Sequence, residues 1–320
     1  MSDWGVLLSP AILFFVLGVL AALVKSDLSI PESIAKGLSL YLMASIGIKG
    51  GAQVAASGYS IEFLVTAIAG VVLSFSIPLL VYFLLRRVGA LDPVNAAATA
   101  AHYGSVSVVT FATGVDVLSS QGLPPAGYMV AVLALMETPA IVVGLMLARG
   151  SASTILPTRA KLAHEALFNG SVVLLIGSFL IGLLLGKEGV APISPVFETA
   201  FRGALCFFLL DMGLVAARRI QEARNLTHRL IWMAIALPIL NGTMGVVIGT
   251  LINLDAGSAA ALGILAGSAS YIAVPAVMRL TLPQADPGIY LGMSLGVTFP
   301  FNIVLGIPFY TYLSTKMVAL

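Results

Sequence analysis

The sequence predicts an all-α polytopic membrane protein: ten transmembrane helices arranged as two inverted five-helix repeats. Three observations carry this reading. Of 320 residues, 59% are hydrophobic and only 9% are charged, against roughly 25% charged in soluble proteins. Mean hydropathy is +1.05. Motifs of the first half return, in the same order, in the second. So few charges cannot cover the surface of a soluble domain of this length, which excludes a secreted enzyme, a DNA-binding module and a disordered scaffold. A net charge of +2 implies no nucleic-acid partner, and a single cysteine, Cys206, excludes an internal disulfide or a cysteine metal cluster.

A helix needs ~20 apolar residues to cross the ~30 Å hydrocarbon core. Ten stretches qualify: 6–24, 31–50, 62–85, 93–113, 126–148, 166–186, 196–217, 229–252, 256–278 and 287–313. Polar or Pro/Gly-rich breaks separate them, including Lys25-Ser26-Asp27, Gly89 to Pro93, Ser119 to Pro125 and Leu282 to Pro287. The first stretch lacks a basic leader and a small-residue cleavage site, so it is expected to be retained. Alternating the loops places Lys25, Arg86, Arg87, Arg149, Arg159, Lys161, Arg218, Arg219, Arg224, Arg229 and Arg279 on one side. The other side holds Lys49, Lys187 and Lys316. The basic side is expected to be cytoplasmic. Both termini then lie outside the inner (plasma) membrane.

The halves meet at a polar stretch, giving residues 1–149 as the first repeat, 150–165 as a cytoplasmic linker and 166–320 as the second repeat. Lys36-Gly37 followed by Gly47 matches Arg202-Gly203 followed by Gly213. Gly104-Ser105-Val106-Ser107 matches Gly267-Ser268-Ala269-Ser270, and Tyr128 with Gly144 matches Tyr290 with Gly306. A repeat with an odd number of crossings must return upside down, and inverted repeats of this kind mark secondary transporters.

Such transporters bind substrate where interrupted helices meet near the midplane. The fourth stretch carries Gly104, Ser105, Ser107 and Thr110, then Thr113-Gly114. The ninth carries Gly263, Gly267, Ser268, Ser270 and Tyr271, then Pro275. Gly and Ser ease an interruption, and Pro275 removes a backbone donor. Freed N–H groups at a helix start suit an anion; freed carbonyls and hydroxyls suit sodium. Close helix packing through small residues is the alternative for both motifs, and we read the Gly182-Gly186, Gly245-Gly249 and Gly288-Gly292-Gly296 spacings that way.

Ionisable groups inside a membrane need a reason. Glu137, followed by Thr138, could ligate sodium or carry a proton. Asp211 is a second cation ligand or a structural partner of a neighbouring helix. His102 is structural, or senses pH or gates. Lys36 and Arg202, near span ends, are expected to snorkel to the interface. No nucleotide loop, catalytic carboxylate pair, Ser/His dyad or metal-ligand cluster occurs, which argues against a primary pump or an intramembrane protease; the chain is not expected to be an enzyme or to hold a cofactor.

The chain resembles the sodium-dependent bicarbonate transporters best known from cyanobacteria. The resemblance rests on Ile30-Pro31-Glu32-Ser33-Ile34 leading to Ile46-Gly47-Ile48-Lys49-Gly50-Gly51, on Phe201-Arg202-Gly203-Ala204-Leu205 leading to Met212-Gly213, on Glu137-Thr138-Pro139-Ala140, and on Pro283 to Gly292. It implies ten spans divided into a core and a gate domain, a homotrimer, and substrate bound where the fourth- and ninth-span breaks cross. It also implies sodium-driven uptake by alternating access. Departures fall at that crossing. The family's Ser-Gly-Ser-Thr is Ser107-Val108-Val109-Thr110, and its Ser-Asp-Ile-Ser-Gly-Pro is Ser270-Tyr271-Ile272-Ala273-Val274-Pro275. A local carboxylate is lost, and Glu137 stands where the family has Asp. The short linker restricts a PII-like regulatory protein to other cytoplasmic surface.

The combined expectation is sodium-coupled symport of bicarbonate or a similar small anion. The substrate-binding residues are Gly104, Ser105, Ser107, Thr110, Gly267, Ser268, Ser270 and Tyr271. The sodium ligands are Glu137, Thr138, Ser270 and Asp211. Two alternatives stand beside it: a proton-coupled or exchanging carrier of a larger organic anion on the same fold, and an anion-binding receptor or channel.

Overall fold

Each capped helix begins where a side chain can take up a free amide. The computed structural model describes residues 9–58, 60–149, 170–222 and 226–319, and its regular elements are all helical. The 150–165 linker, and with it Arg159 and Lys161, lies outside those residues, as do Arg224 and the first few residues of the first and sixth predicted spans. Ser9 caps α1 (Pro10–Leu23), its Oγ accepting from the Ile12 amide at 3.3 Å. Pro31 precedes α2 (Glu32–Ser57). Ser60 caps α3 (Ile61–Arg87), with Arg86 and Arg87 in the last turn, where cations suit the free carbonyls.

The fourth span is two half-helices, α4 (Pro93–Gly104) and α5 (Val108–Ser120), followed by α6 (Met129–Arg149). In the second half, α7 spans Gly170–Val190 and is broken near its end by Gly186, whose φ of +62° suits glycine. A π-helical turn, Pro195–Thr199, leads into α8 (Phe201–Glu222). Thr227 caps α9 (His228–Leu251). The ninth span is again two pieces, α10 (Ala256–Gly267) and α11 (Ala273–Thr281). The last helix, α12 (Pro287–Val318), includes π-helical stretches at Gly292–Thr298 and Asn302–Gly306.

Among the described residues, six helices (α3, α6, α7, α8 with its leading turn, α9 and α12) are long and apolar enough to cross a membrane. The other predicted spans fall short for visible reasons. α1 is described only from Pro10. α2 carries Glu32, Lys36 and Lys49 among Gly, Ala and Ser. The fourth and ninth spans are cut by their interruptions into pieces of 12, 13, 12 and 9 residues. Large apolar side chains face outward all along the helices, among them Leu184 at 85% and Trp232 at 71% exposure, as lipid contact requires. The chain is a membrane protein.

Two packed groups result. In one, α1 lies along α8 and α2 along α7. Here glycines bring backbones together: a Cβ on Gly18 would strike the Leu210 carbonyl, one on Gly213 the Phe15 carbonyl, one on Gly51 the Phe179 carbonyl and one on Gly182 the Ile48 carbonyl. In the other group, α3, α4 and α6 pack on one another, as do α9, α10 and α12. Gly245 and Gly249 sit against Leu262 and Ala259 of α10 as expected, but Gly186 is the kink of α7 and not a packing face.

Three expectations are revised. Pro275 does not interrupt the ninth span; it lies in the first turn of α11, where its missing N–H has no helical partner to lose. Gly114 and Gly263 lie inside α5 and α10, where they admit Ile264 and Val246. Arg202 does not simply snorkel: its Nε donates to Asp116 Oδ1 at 2.7 Å, joining α8 to α5.

If the α2–α7 crossing rests on backbone contact, Gly51→Ala should cost about 1–3 kcal/mol and lower the thermal unfolding midpoint in detergent. Gly37→Ala, where a Cβ meets nothing within 4 Å, should leave the midpoint level or raise it. Equal midpoints for the two variants would refute a crossing held at backbone distance.

Candidate functional site

The two interrupted spans are built alike. α4 and α10 each have 12 residues. Asp92 and Asp255 cap their starts, Asp92 Oδ1 accepting from the Val94 and Asn95 amides at 3.0 Å and Asp255 Oδ1 from the Ser258 amide at 3.0 Å. Burial pushes the Asp92 carboxyl up, but bonds from Asn95 and the two amides outweigh it and hold the group below its ordinary value. Each half-helix ends in a glycine, and the next residue, Ser105 or Ser268, is extended (ψ 172° and 167°).

The glycines explain where the helices stop. A Cβ on Gly104 would enter Pro78 of α3, and one on Gly267 would meet Tyr310 and the Pro238 carbonyl. Each half-helix thus presses its end against a mid-helix proline of the preceding span.

Beyond the glycines the two breaks bond to each other. The Ser107 amide donates to Ser268 Oγ at 2.9 Å, and the Ser268 hydroxyl donates to the Leu265 carbonyl at 2.8 Å. The Ser270 amide donates to the His102 carbonyl at 2.8 Å. Ser107 then restarts a helix: its Oγ caps α5, accepting from the Thr110 amide at 3.1 Å and the Thr110 hydroxyl at 3.0 Å. Ser270 Oγ accepts from the Val274 amide at 3.4 Å in the first turn of α11. Two helix starts, with their partial positive charge, therefore lie beside the crossing.

A small cavity of about 10 Å³ opens there, the room of about one water. Glu137 of α6 lines it together with Ser107, Val108, Ser270 and Tyr271, and Met43 of α2 completes the lining. Glu137 is 2% exposed, and its Oε2 has no hydrogen-bond partner. Ser105 Oγ and His102 Nε2, both buried, likewise have no partner, and the buried Tyr271 hydroxyl has at most Ser107. A buried polar atom with no partner costs about 1–3 kcal/mol, so the unpartnered atoms around this crossing make it the candidate site.

The predicted residues separate into groups. Ser107, Ser270, Tyr271 and Glu137 line the cavity. Thr110 touches it through Ser107, and Ser105 lies in the break itself. Gly104 and Gly267 act by letting helices close up, and Ser268 by bonding the other break. Thr138 is half-buried on α6 and outside the lining, and Asp211 is buried on α8, also outside it. His102 gives its carbonyl to Ser270. Its Nδ1 lies 2.7 Å from the Ala98 carbonyl and so carries the proton, while the ring stacks on Tyr290 with centroids 4.6 Å apart. Of the two valines that depart from the family pattern, Val108 lines the cavity and Val109 does not.

Sequence reasoning missed the supports. Asn302 Nδ2 donates to the Gly267 carbonyl at 2.8 Å, and Tyr310 donates to the Pro238 carbonyl at 2.8 Å. Thr298 donates to the Ala234 carbonyl at 2.6 Å, the group that Pro238 leaves without a helical donor. Tyr103 in turn donates to Thr298 at 2.6 Å. Polar residues inside an apolar tenth span were the available signal. Met43 offered none, being one apolar residue among many.

A family model for the Na+-dependent bicarbonate transporter superfamily matches residues 10–315, from the first helix to the last. The chain belongs to that superfamily. No individually curated protein matches it. As a member of the Na+-dependent bicarbonate transporter superfamily, the chain carries both interruptions and Glu137 within the matched range.

Ser268→Ala strands the buried Ser107 amide and should cost about 1–3 kcal/mol, read as a lower unfolding midpoint. Ser76→Ala, whose exposed hydroxyl bonds only its own helix, is the control. A midpoint no lower than the control's would rule out a stabilising role for the bond between the breaks.

Proposed function

We propose that the chain is a sodium-coupled symporter of bicarbonate or a similar small anion, working by alternating access. The observation that carries this is the orphaned Glu137 oxygen at the crossing of the two breaks. A lone buried carboxylate is costly and repels an anion. Sodium beside it removes both difficulties. The anion then finds the starts of α5 and α11 and the hydroxyls of Ser107, Thr110 and Ser270, with Ser105 and Tyr271 at hand. Each ion offsets part of the other's desolvation, so neither binds well alone, and coupling follows. Thr138 and Asp211 stand outside this minimal set and would join it only in another state of the transport cycle.

The inverted repeat is the scaffold we assign to that cycle, with residues 1–149 related to 166–320. The matching half-helices, caps, terminal glycines and prolines support it. So do two reciprocal bonds: the Asp286 amide, at the start of α12, donates to Asn95 at 2.7 Å, and the Ala126 amide, ahead of α6, donates to Ser258 at 3.0 Å. Asn95 and Ser258 each lie three residues after a capping aspartate. Gly37 and Gly203 both face open space, whereas Gly47 and Gly213 both sit at helix crossings. In this reading α1, α2, α7 and α8 form the gate and the remaining helices the core. The basic loops face the cytoplasm and both termini lie outside. Homotrimer assembly and a PII-like regulator come from the family resemblance.

The same orphaned oxygen suits a protonated carboxyl, the chemistry of a proton-coupled or exchanging carrier of a larger organic anion. A cavity with the room of about one water matches a bare sodium ion and must widen for either anion.

The test is labelled bicarbonate uptake into proteoliposomes, with and without an inward sodium gradient. Uphill, sodium-dependent uptake is expected. Glu137→Gln should raise the half-saturating sodium concentration by about tenfold or more, each tenfold being about 1.4 kcal/mol, or abolish the dependence. A normal sodium response in that variant would remove Glu137 from the site. Uptake that ignores sodium and follows the proton gradient would favour the second reading.

A further inference from the structure

A second, larger cavity lies one helical turn from the first. Its volume is about 120 Å³, and α2, α5, the 124–127 loop with Val130 of α6, α8 and the turn before α8 line it. The two cavities share walls. On α2, Met43 lines the small one and Ile46 the large one; on α5, Val108 lines the small one and Phe111 the large one. Residues three apart on a helix lie one above the other, so the cavities are stacked. Ile46 and Phe111, 6% and 1% exposed, form the layer between them.

The larger cavity is charged, unlike its apolar floor. Lys49, Asp116, Glu198 and Arg202 line it. Arg202 and Asp116 neutralise each other at 2.7 Å. Among the described residues, Lys49 and Glu198 have no oppositely charged group within ion-pair distance. The cavity therefore offers one uncommitted cation and one uncommitted carboxylate. It opens at the end of the molecule where α2 and α5 finish and α8 begins, the outer face in the orientation proposed above.

We infer that this cavity is an entry vestibule that captures a small monovalent oxyanion at Lys49 and sodium at Glu198, with Ile46 and Phe111 as the plug that parts before the ions reach Glu137. The inference rests on the symport reading for its direction of traffic. Its electrostatic content can be tested without transport. The ion pair between Arg202 and Asp116 spans two helices that the cycle would separate, so it closes the vestibule wall in this state.

The experiment uses the full chain in proteoliposomes, with Cys206→Ser as background and Val115→Cys as reporter on the vestibule wall. Anionic and cationic membrane-impermeant methanethiosulfonate reagents are applied from outside. Both should react. The anionic-to-cationic rate ratio should fall about two- to fivefold in Lys49→Gln and rise by a similar factor in Glu198→Gln. In uptake, Lys49→Gln should raise the bicarbonate KM about two- to fivefold with kcat held. A ratio that neither substitution moves, a reporter that does not react, or an unmoved KM in an active Lys49→Gln protein overturns the inference. Shifted ratios in a protein that takes up no bicarbonate would sustain the charged vestibule and overturn the substrate reading instead.

Discussion

In hydrocarbon, a backbone amide released by a broken helix has no water to bond to, so the protein itself must supply the acceptor. That constraint governs this fold. The Ser107 amide is taken by Ser268 and the Ser270 amide by the His102 carbonyl. Neither break could form without the other, which ties two spans more than 150 residues apart in sequence into one element. The half-helix lengths, the aspartate caps and the terminal glycines all serve to bring these breaks into register.

Prolines extend the same logic. Pro238 costs α9 a hydrogen bond, and the freed Ala234 carbonyl is bonded by Thr298 from α12. The Pro238 carbonyl is bonded by Tyr310 of the same helix. Asn302 then fastens the end of α10. One helix thus supplies the polar groups that the weakened backbone of two others requires. Support of this kind contrasts with the crossing itself, where buried atoms of Glu137, Ser105 and His102 have no partner.

Much of this was legible in the sequence. Apolar length located the helices, and Gly-Ser clusters located the interruptions to within a few residues, because both signals are local. Ser107, Ser270, Tyr271 and Glu137 were legible as site residues because polar groups in apolar spans are scarce. What escaped depends on which helices meet. Asp211 looked like Glu137 in sequence, yet it sits on α8, away from the crossing cavity. Arg202 looked like a snorkelling side chain until α5 brought Asp116 beside it. Pro275 looked like a breaker, but a proline in a first turn costs little. Apolar walls such as Met43 carry no mark that separates them from lipid-facing neighbours.

The glycine crossings bear on how the chain comes to be assembled. Gly18 of α1 and Gly51 of α2 meet partners on α8 and α7, which are synthesised more than 100 residues later. Until then, the grooves at those glycines can face only lipid or the insertion machinery. α1 and α2 therefore wait for their partners, while α3, α4 and α6 pack on one another within the first half. The α1–α8 and α2–α7 crossings can close only after the second half has been made, whereas the α3–α4–α6 group needs nothing from it to begin packing.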